Sequence, residues 1–171
     1  IGSAIGHELT HGFDDQGSKF DADGNLREWW SRADRKKFVR KARALVRQFG
    51  GYRVAGGVPL NGTLTLGENI AELGGLVIAY DAFMDAMRRM RSPKTIGGWT
   101  PEQLFFLGYA QTERGHARPE EERRLATIDP HSPARYRTNG IFSNMEEFHR
   151  AFGVAPGDGM YRPPSARAEI W

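Results

Sequence analysis

The chain has 171 residues, enough for one domain, or one large fragment, with a real core. It carries 24 Lys+Arg against 21 Asp+Glu, a formal net charge of +3, which describes a mixed surface and speaks against a nucleic-acid partner. The absence of cysteine excludes a disulfide scaffold, a thiol nucleophile and any Cys-ligated metal centre, but leaves the compartment open. No charged leader or long apolar run occurs, so no membrane contact is evident in this segment. The chain opens on Ile1 rather than Met, with a chemical motif under way six residues later, and reads as a piece cut from a longer protein.

Residues 1–13 set two histidines four apart among small and apolar residues, which suits a buried helix ending near Gly12. The Asp- and Gly-rich stretch after it reads as a turn-laden loop or a small hairpin. Asp21, Asp23, Gly24 and Asn25 resemble a calcium loop only superficially: the glycine comes too early, and Arg32 stands where the closing glutamate belongs. A helix starts near Ser31, with Asp34 in the capping position. Phe38, Ala42, Leu45, Val46 and Phe49 form its apolar face, and Gly50-Gly51 ends it. Its other face is the most basic stretch of the chain, Arg35 to Arg47, and reads as solvated.

Residues 51–64 carry loop signals, and a long helix follows over about 66–91, with Thr65 and Glu68 at capping-box spacing. Ile70, Leu73, Val77, Ile78, Phe83, Met84 and Met87 supply a broad apolar flank. The interior pair Gly74-Gly75 costs about 1 kcal/mol per glycine relative to alanine, so it implies close approach of another backbone. Beyond the linker 92–100, Thr100-Pro101 starts a helix with Gln103 completing a capping box. Arg118 to Arg124 is charge-dense and exposed, and the two prolines flanking His131 exclude a helix interior there. Ser143 and Glu146 cap a last short helix, with His149 on its surface, and a Gly- and Pro-rich tail follows. The fold class is mainly α, with one possible small hairpin after the first helix.

His7-Glu8-Leu9-Thr10-His11 carries the chemistry. On a helix, residues four apart stack on one face, so both imidazoles reach one ion, and the adjacent Glu8 can contact a water at that ion without binding it. Glu68 is the candidate third ligand, because a carboxylate among Leu66, Ile70 and Leu73 is costly unless paired or metal-bound. Glu72, one turn on, can accept the second N–H of a ligand histidine. His131, in its rigid turn, can face a developing oxyanion, and Arg137 can hold a substrate carbonyl or carboxylate. Taken singly, Glu68 also fits a helix cap, Glu72 a solvated glutamate, and His131 with Arg137 a loop histidine and a surface arginine. His116 and His149 receive no role. Two competing readings stand: a zinc hydrolase in which Glu68 is only structural, and a non-catalytic helical fragment or interaction module with a vestigial metal site.

Three blocks of sequence together resemble the C-terminal catalytic part of the neprilysin-like zinc endopeptidases, the M13 family. They are Ile5 to Asp15, Leu66 to Gly75, and Asp129 to Gly140, followed by Phe148 and Phe152. The resemblance implies a zincin-type catalytic portion spanning 1–171, with one zinc held by His7, His11 and Glu68. It implies that Glu8 activates the attacking water, that Glu72 orients a ligand histidine, that His131 stabilises the tetrahedral intermediate, and that Arg137 holds the peptide. It further implies cleavage of internal bonds in short peptides, often on the amino side of apolar residues, and the absence here of the N-terminal portion and lid domain. Family members are often membrane-anchored or exported. Two departures stand out: Glu72 replaces the usual aspartate, and Ala168-Glu169-Ile170-Trp171 replaces Cys-Arg-x-Trp, which points to a bacterial member.

Overall fold

In the computed structural model, which describes residues 1–90 and 95–170, the chain is mainly α-helical. The described helices are α1 (Gly2–His11), α2 (Arg32–Gly50), α3 (Leu66–Arg89), α4 (Pro101–Thr112), α5 (Pro119–Ile128), α6 (Ala134–Phe142) and α7 (Glu146–Phe152).

The central element is α3, whose residues from Asn69 to Leu76 are all buried. A helix buried on every side must be apolar or paired all round, and here Asn69 and Glu72 are the polar exceptions. Around it, Leu45 and Phe49 of α2, Phe106 of α4 and Ile141 of α6 are fully enclosed with Ile70 and Leu76. Phe106 touches Phe142 and Phe148 edge-on, at ring-centroid distances of 5.1 and 5.4 Å, tying α4 to α6 and α7. Val77 and Ile78, expected in the apolar flank of α3, are instead 42% and 50% exposed.

The glycine pair in α3 has its reason at Gly75. A Cβ there would lie 2.4 Å from the His7 nitrogen, and one at Gly6 would lie 2.8 Å from the Gly75 Cα. The α1 and α3 backbones therefore touch where the two glycines cross, which brings the histidine helix against the glutamate helix.

Two capping expectations hold. The Ser31 hydroxyl accepts from the Asp34 N–H at 3.1 Å, and Thr100 and Gln103 form a full capping box. Two others do not. Thr65 makes no cap bond: its hydroxyl donates to the Asn61 carbonyl and accepts from Asn69. Ser143 serves Gly140 and Gln48 instead, and Met145 stands at the cap of α7. The Thr65 hydroxyl is taken by neighbours four residues away on either side, and the Ser143 hydroxyl in part by Gln48 of α2. The hairpin after α1 is also not formed: residues 20 and 26 meet in an isolated bridge, and no strand occurs among the described residues. Within that turn the Asp21 carboxylate accepts the N–H groups of Asp23 and Asn25, an ordinary turn use. Arg35 leaves the solvated face of α2 to bind Ser18 and Glu28, clamping the turn region to α2.

His149 is a further correction, since it is buried rather than on a helix surface. Its Nε2 lies 3.1 Å from the Ser143 carbonyl and its Nδ1 accepts from Arg167 at 3.0 Å, pinning the C-terminal tail to α7. Burial and the Arg167 charge hold its pKa below the free value. The unfolded chain therefore binds this proton more readily than the folded one. The stability His149 contributes is full above about pH 6.5 and falls as pH drops through the lower folded value. Thermal unfolding followed from pH 7.5 to 5.5 should show that decline, and His149→Gln, which keeps a donor and an acceptor, should flatten it.

Candidate metal centre

The site is assembled from α1, α3 and the loop before α6. His7 and His11 lie one turn apart on α1, with rings edge-to-face at a centroid distance of 4.6 Å and Nε2 atoms 2.9 Å apart. Glu68, in the first turn of α3, reaches both: Oε2 is 3.3 Å from His7 Nε2 and Oε1 is 3.7 Å from His11 Nε2. His131 Nε2 also stands 3.3 Å from Glu68 Oε2.

Behind these atoms the other ring nitrogens are held. His11 Nδ1 is 2.8 Å from Asp14, whose second oxygen accepts the N–H groups of Gln16 and Gly17, each at 2.7 Å. His7 Nδ1 faces Glu72 at 3.6 Å. The carboxylates at Nδ1 favour the tautomer that leaves each Nε2 with a lone pair directed into the shared space.

Glu72 is buried and occupied on both oxygens. The Tyr109 hydroxyl donates to one; Arg137 donates to the other through Nη2 and, at 2.6 Å, through Nε. Burial opposes its charge, but the bonds from His7 and Tyr109 and the Arg137 guanidinium hold its pKa below the usual carboxylate value. Burial and the Glu72 charge push the Tyr109 hydroxyl up. Glu68, followed by Glu72, raises His7 to about 9, and the same contact lowers Glu68. This pocket therefore attracts positive charge.

The residues fit a divalent ion. His7, His11 and Glu68 each offer a ligand atom, all within 4.8 Å of one another, and they form the one such group among the described residues. Two imidazole nitrogens with a carboxylate oxygen suit a zinc hydrolase. Glu68 Oε2 is a buried atom without a hydrogen-bond partner, although two imidazole nitrogens stand near it. An oxygen and imidazole nitrogens set this close are accommodated at least cost when a cation lies among them.

The predicted residues thus come together as His7, His11 and Glu68, with His131 beside them and Glu72 and Arg137 behind. Glu8 is exposed next to His7 and makes no hydrogen bond or ion pair among the described residues. His131 is fixed by Asp129, 2.9 Å from its Nδ1. Sequence reasoning missed Asp14, Tyr109 and Glu113. Asp14 carried a readable signal, standing one turn past His11. Tyr109 and Glu113, the latter 3.3 Å from Arg137, carried none, because their partners are far away in sequence.

The peptidase family M13 model matches residues 1–168, so the chain belongs to that family. It is 44% identical to human endothelin-converting enzyme 1 over 173 residues, covering 100% of this chain and 22% of that protein. To neprilysin-1 of Caenorhabditis elegans it is 40% identical over 177 residues, covering 100% of the chain and 23% of the relative. Among solved structures, Mycobacterium tuberculosis zinc metalloprotease Zmp1 in complex with inhibitor superposes with a TM-score of 0.93 at 40% identity, over 99% of this chain and 26% of that one. The chain thus spans about a quarter of these proteins' length. The His-His-Glu cluster lies in a chain that resembles part of a solved zinc metalloprotease.

Proposed function

We propose that the chain is the C-terminal catalytic portion of a larger zinc endopeptidase that hydrolyses internal bonds of short peptides. The observation that carries this is the convergence of His7, His11 and Glu68, whose ligand atoms all lie within 4.8 Å of one another. The three would hold one zinc ion per chain, which when bound supplies Lewis acidity toward the scissile carbonyl and a water activated at neutral pH. Glu8 takes the proton of the attacking water as its oxygen bonds to the carbonyl carbon, and returns it to the amine as the C–N bond breaks. His131, oriented by Asp129, donates toward the carbonyl oxygen as charge develops there. Glu72 orients His7 and restrains Arg137, which borders the bound peptide. The missing N-terminal portion supplies the rest of the peptide cradle and excludes water. The reading extends to a bacterial parent, supported by the cysteine-free C-terminal end.

The test is metal analysis joined to an assay on a fluorogenic apolar peptide. The full-length protein should hold one zinc per chain and lose turnover to a chelator. Glu68→Ala should lose the metal, while the isolated 171 residues should show weak or no hydrolysis. Intact zinc stoichiometry in Glu68→Ala would reduce Glu68 to a structural residue. Chelator-sensitive turnover by the isolated chain near the full-length rate would overturn the need for the N-terminal portion.

A further inference from the structure

Beside the metal cluster a cleft of about 610 Å³ opens between the end of α4, α5 and the start of α6. His131 and Arg137 line it, so its occupant lies against the groups assigned above to the peptide. Glu113, at the C-terminal cap of α4, lines it too, with its side chain only 16% exposed.

The charges in the cleft do not cancel at Glu113. Arg135 is paired with Glu122 at 3.2 Å, and Asp129 accepts the His131 backbone N–H at 2.8 Å. Arg137 is already held by Glu72 through two nitrogens. Glu113 comes second to the same guanidinium, 3.3 Å from its Nε, and its other oxygen has only the Thr112 hydroxyl at 3.5 Å. Two carboxylates share one cation. The negative end of the α4 dipole points at the same place. Burial and the Glu72 charge raise the Glu113 carboxyl, while Arg137 opposes them; the balance describes an undercompensated anion.

We propose that Glu113 is a specificity-determining residue whose carboxylate makes this cleft receive a cationic side chain, Lys or Arg, of the peptide substrate. The proposal rests on the peptidase reading and departs from the apolar preference that the family resemblance implies. A cation entering here pairs with a carboxylate whose desolvation was met on folding. An apolar side chain would strip the remaining water from Glu113 without pairing it, and an acidic one would be repelled.

The experiment uses the full-length protein and pairs of peptides that differ only in lysine against norleucine, which has the same chain without the charge. The substitution is placed in turn at each position flanking the cleaved bond. At one position lysine should raise kcat/KM on the order of tenfold over norleucine, and Glu113→Gln should bring that ratio close to one. A merely structural role would lower both peptides together and leave the ratio standing. A ratio near one at every position in the unaltered protein, or an unchanged ratio in Glu113→Gln, overturns the proposal while the peptidase reading stands. Cleavage of none of the peptides overturns both.

Discussion

Glu8→Gln in the full-length protein should keep its zinc and lose hydrolysis, with kcat lower by about 10²–10⁴-fold. The substitution conserves length and shape and removes only the basic oxygen. Glu8 is exposed and makes no hydrogen bond or ion pair among the described residues, so its replacement should leave stability within about 0.5 kcal/mol. The ligand set is untouched, because His7, His11 and Glu68 converge without it. Metal content and kcat therefore separate two roles that fall together in a ligand variant. Retained zinc with a collapsed rate identifies a base. Loss of both would make Glu8 a support for the ligands, and retained activity would remove it from the chemistry.

Gly75→Ala should destabilise the protein by about 3 kcal/mol and weaken its hold on the metal, although the glycine touches no ligand atom. The added methyl would sit 2.4 Å from the His7 nitrogen and 2.8 Å from the Ser3 carbonyl oxygen. Both are backbone atoms of α1 and cannot swing aside as a side chain would, so α1 must move off α3. That motion carries His7 and His11 away from Glu68, whose oxygens they approach at 3.3 and 3.7 Å. Gly108→Ala is the control, because a Cβ on this α4 glycine meets nothing within 4 Å. It should stabilise by roughly 0.5–1 kcal/mol through helix propensity and unfolded-chain entropy. Thermal unfolding and zinc affinity measured on both variants decide the matter. Equal behaviour of the two would remove the helix crossing as the cause.

The same crossing shows how far reading from sequence carried. The cost of an interior glycine pair is a local quantity, so close backbone approach followed from it. The partner, Gly6 of α1, did not, since nothing local says which helix comes near. Caps divide along the same line. Ser31 and Thr100 cap as their spacing demands, because no buried competitor reaches them. Ser143 has the same chemistry but stands beside Gln48 of α2, far away in sequence, which takes its hydroxyl. The absent hairpin follows the same rule: turn signals from Asp21 to Asn25 produced the turn, but its arms found one bridge and no sheet to join.

By itself the sequence determined the helical class, the two histidines stacked on one helix face and the carboxylate between them. These rest on the pitch of an α-helix, which is fixed by covalent geometry over five residues. It also marked Glu68 as unusual for its surroundings and named Glu72, His131 and Arg137 as candidates. Only the tertiary structure decided how they share partners. Glu72 serves His7, Tyr109 and Arg137 at once, and Glu113 competes for the Arg137 guanidinium. Those contacts cross between helices far apart in sequence, so they depend on how apolar faces pack and on which charge burial leaves unpaired.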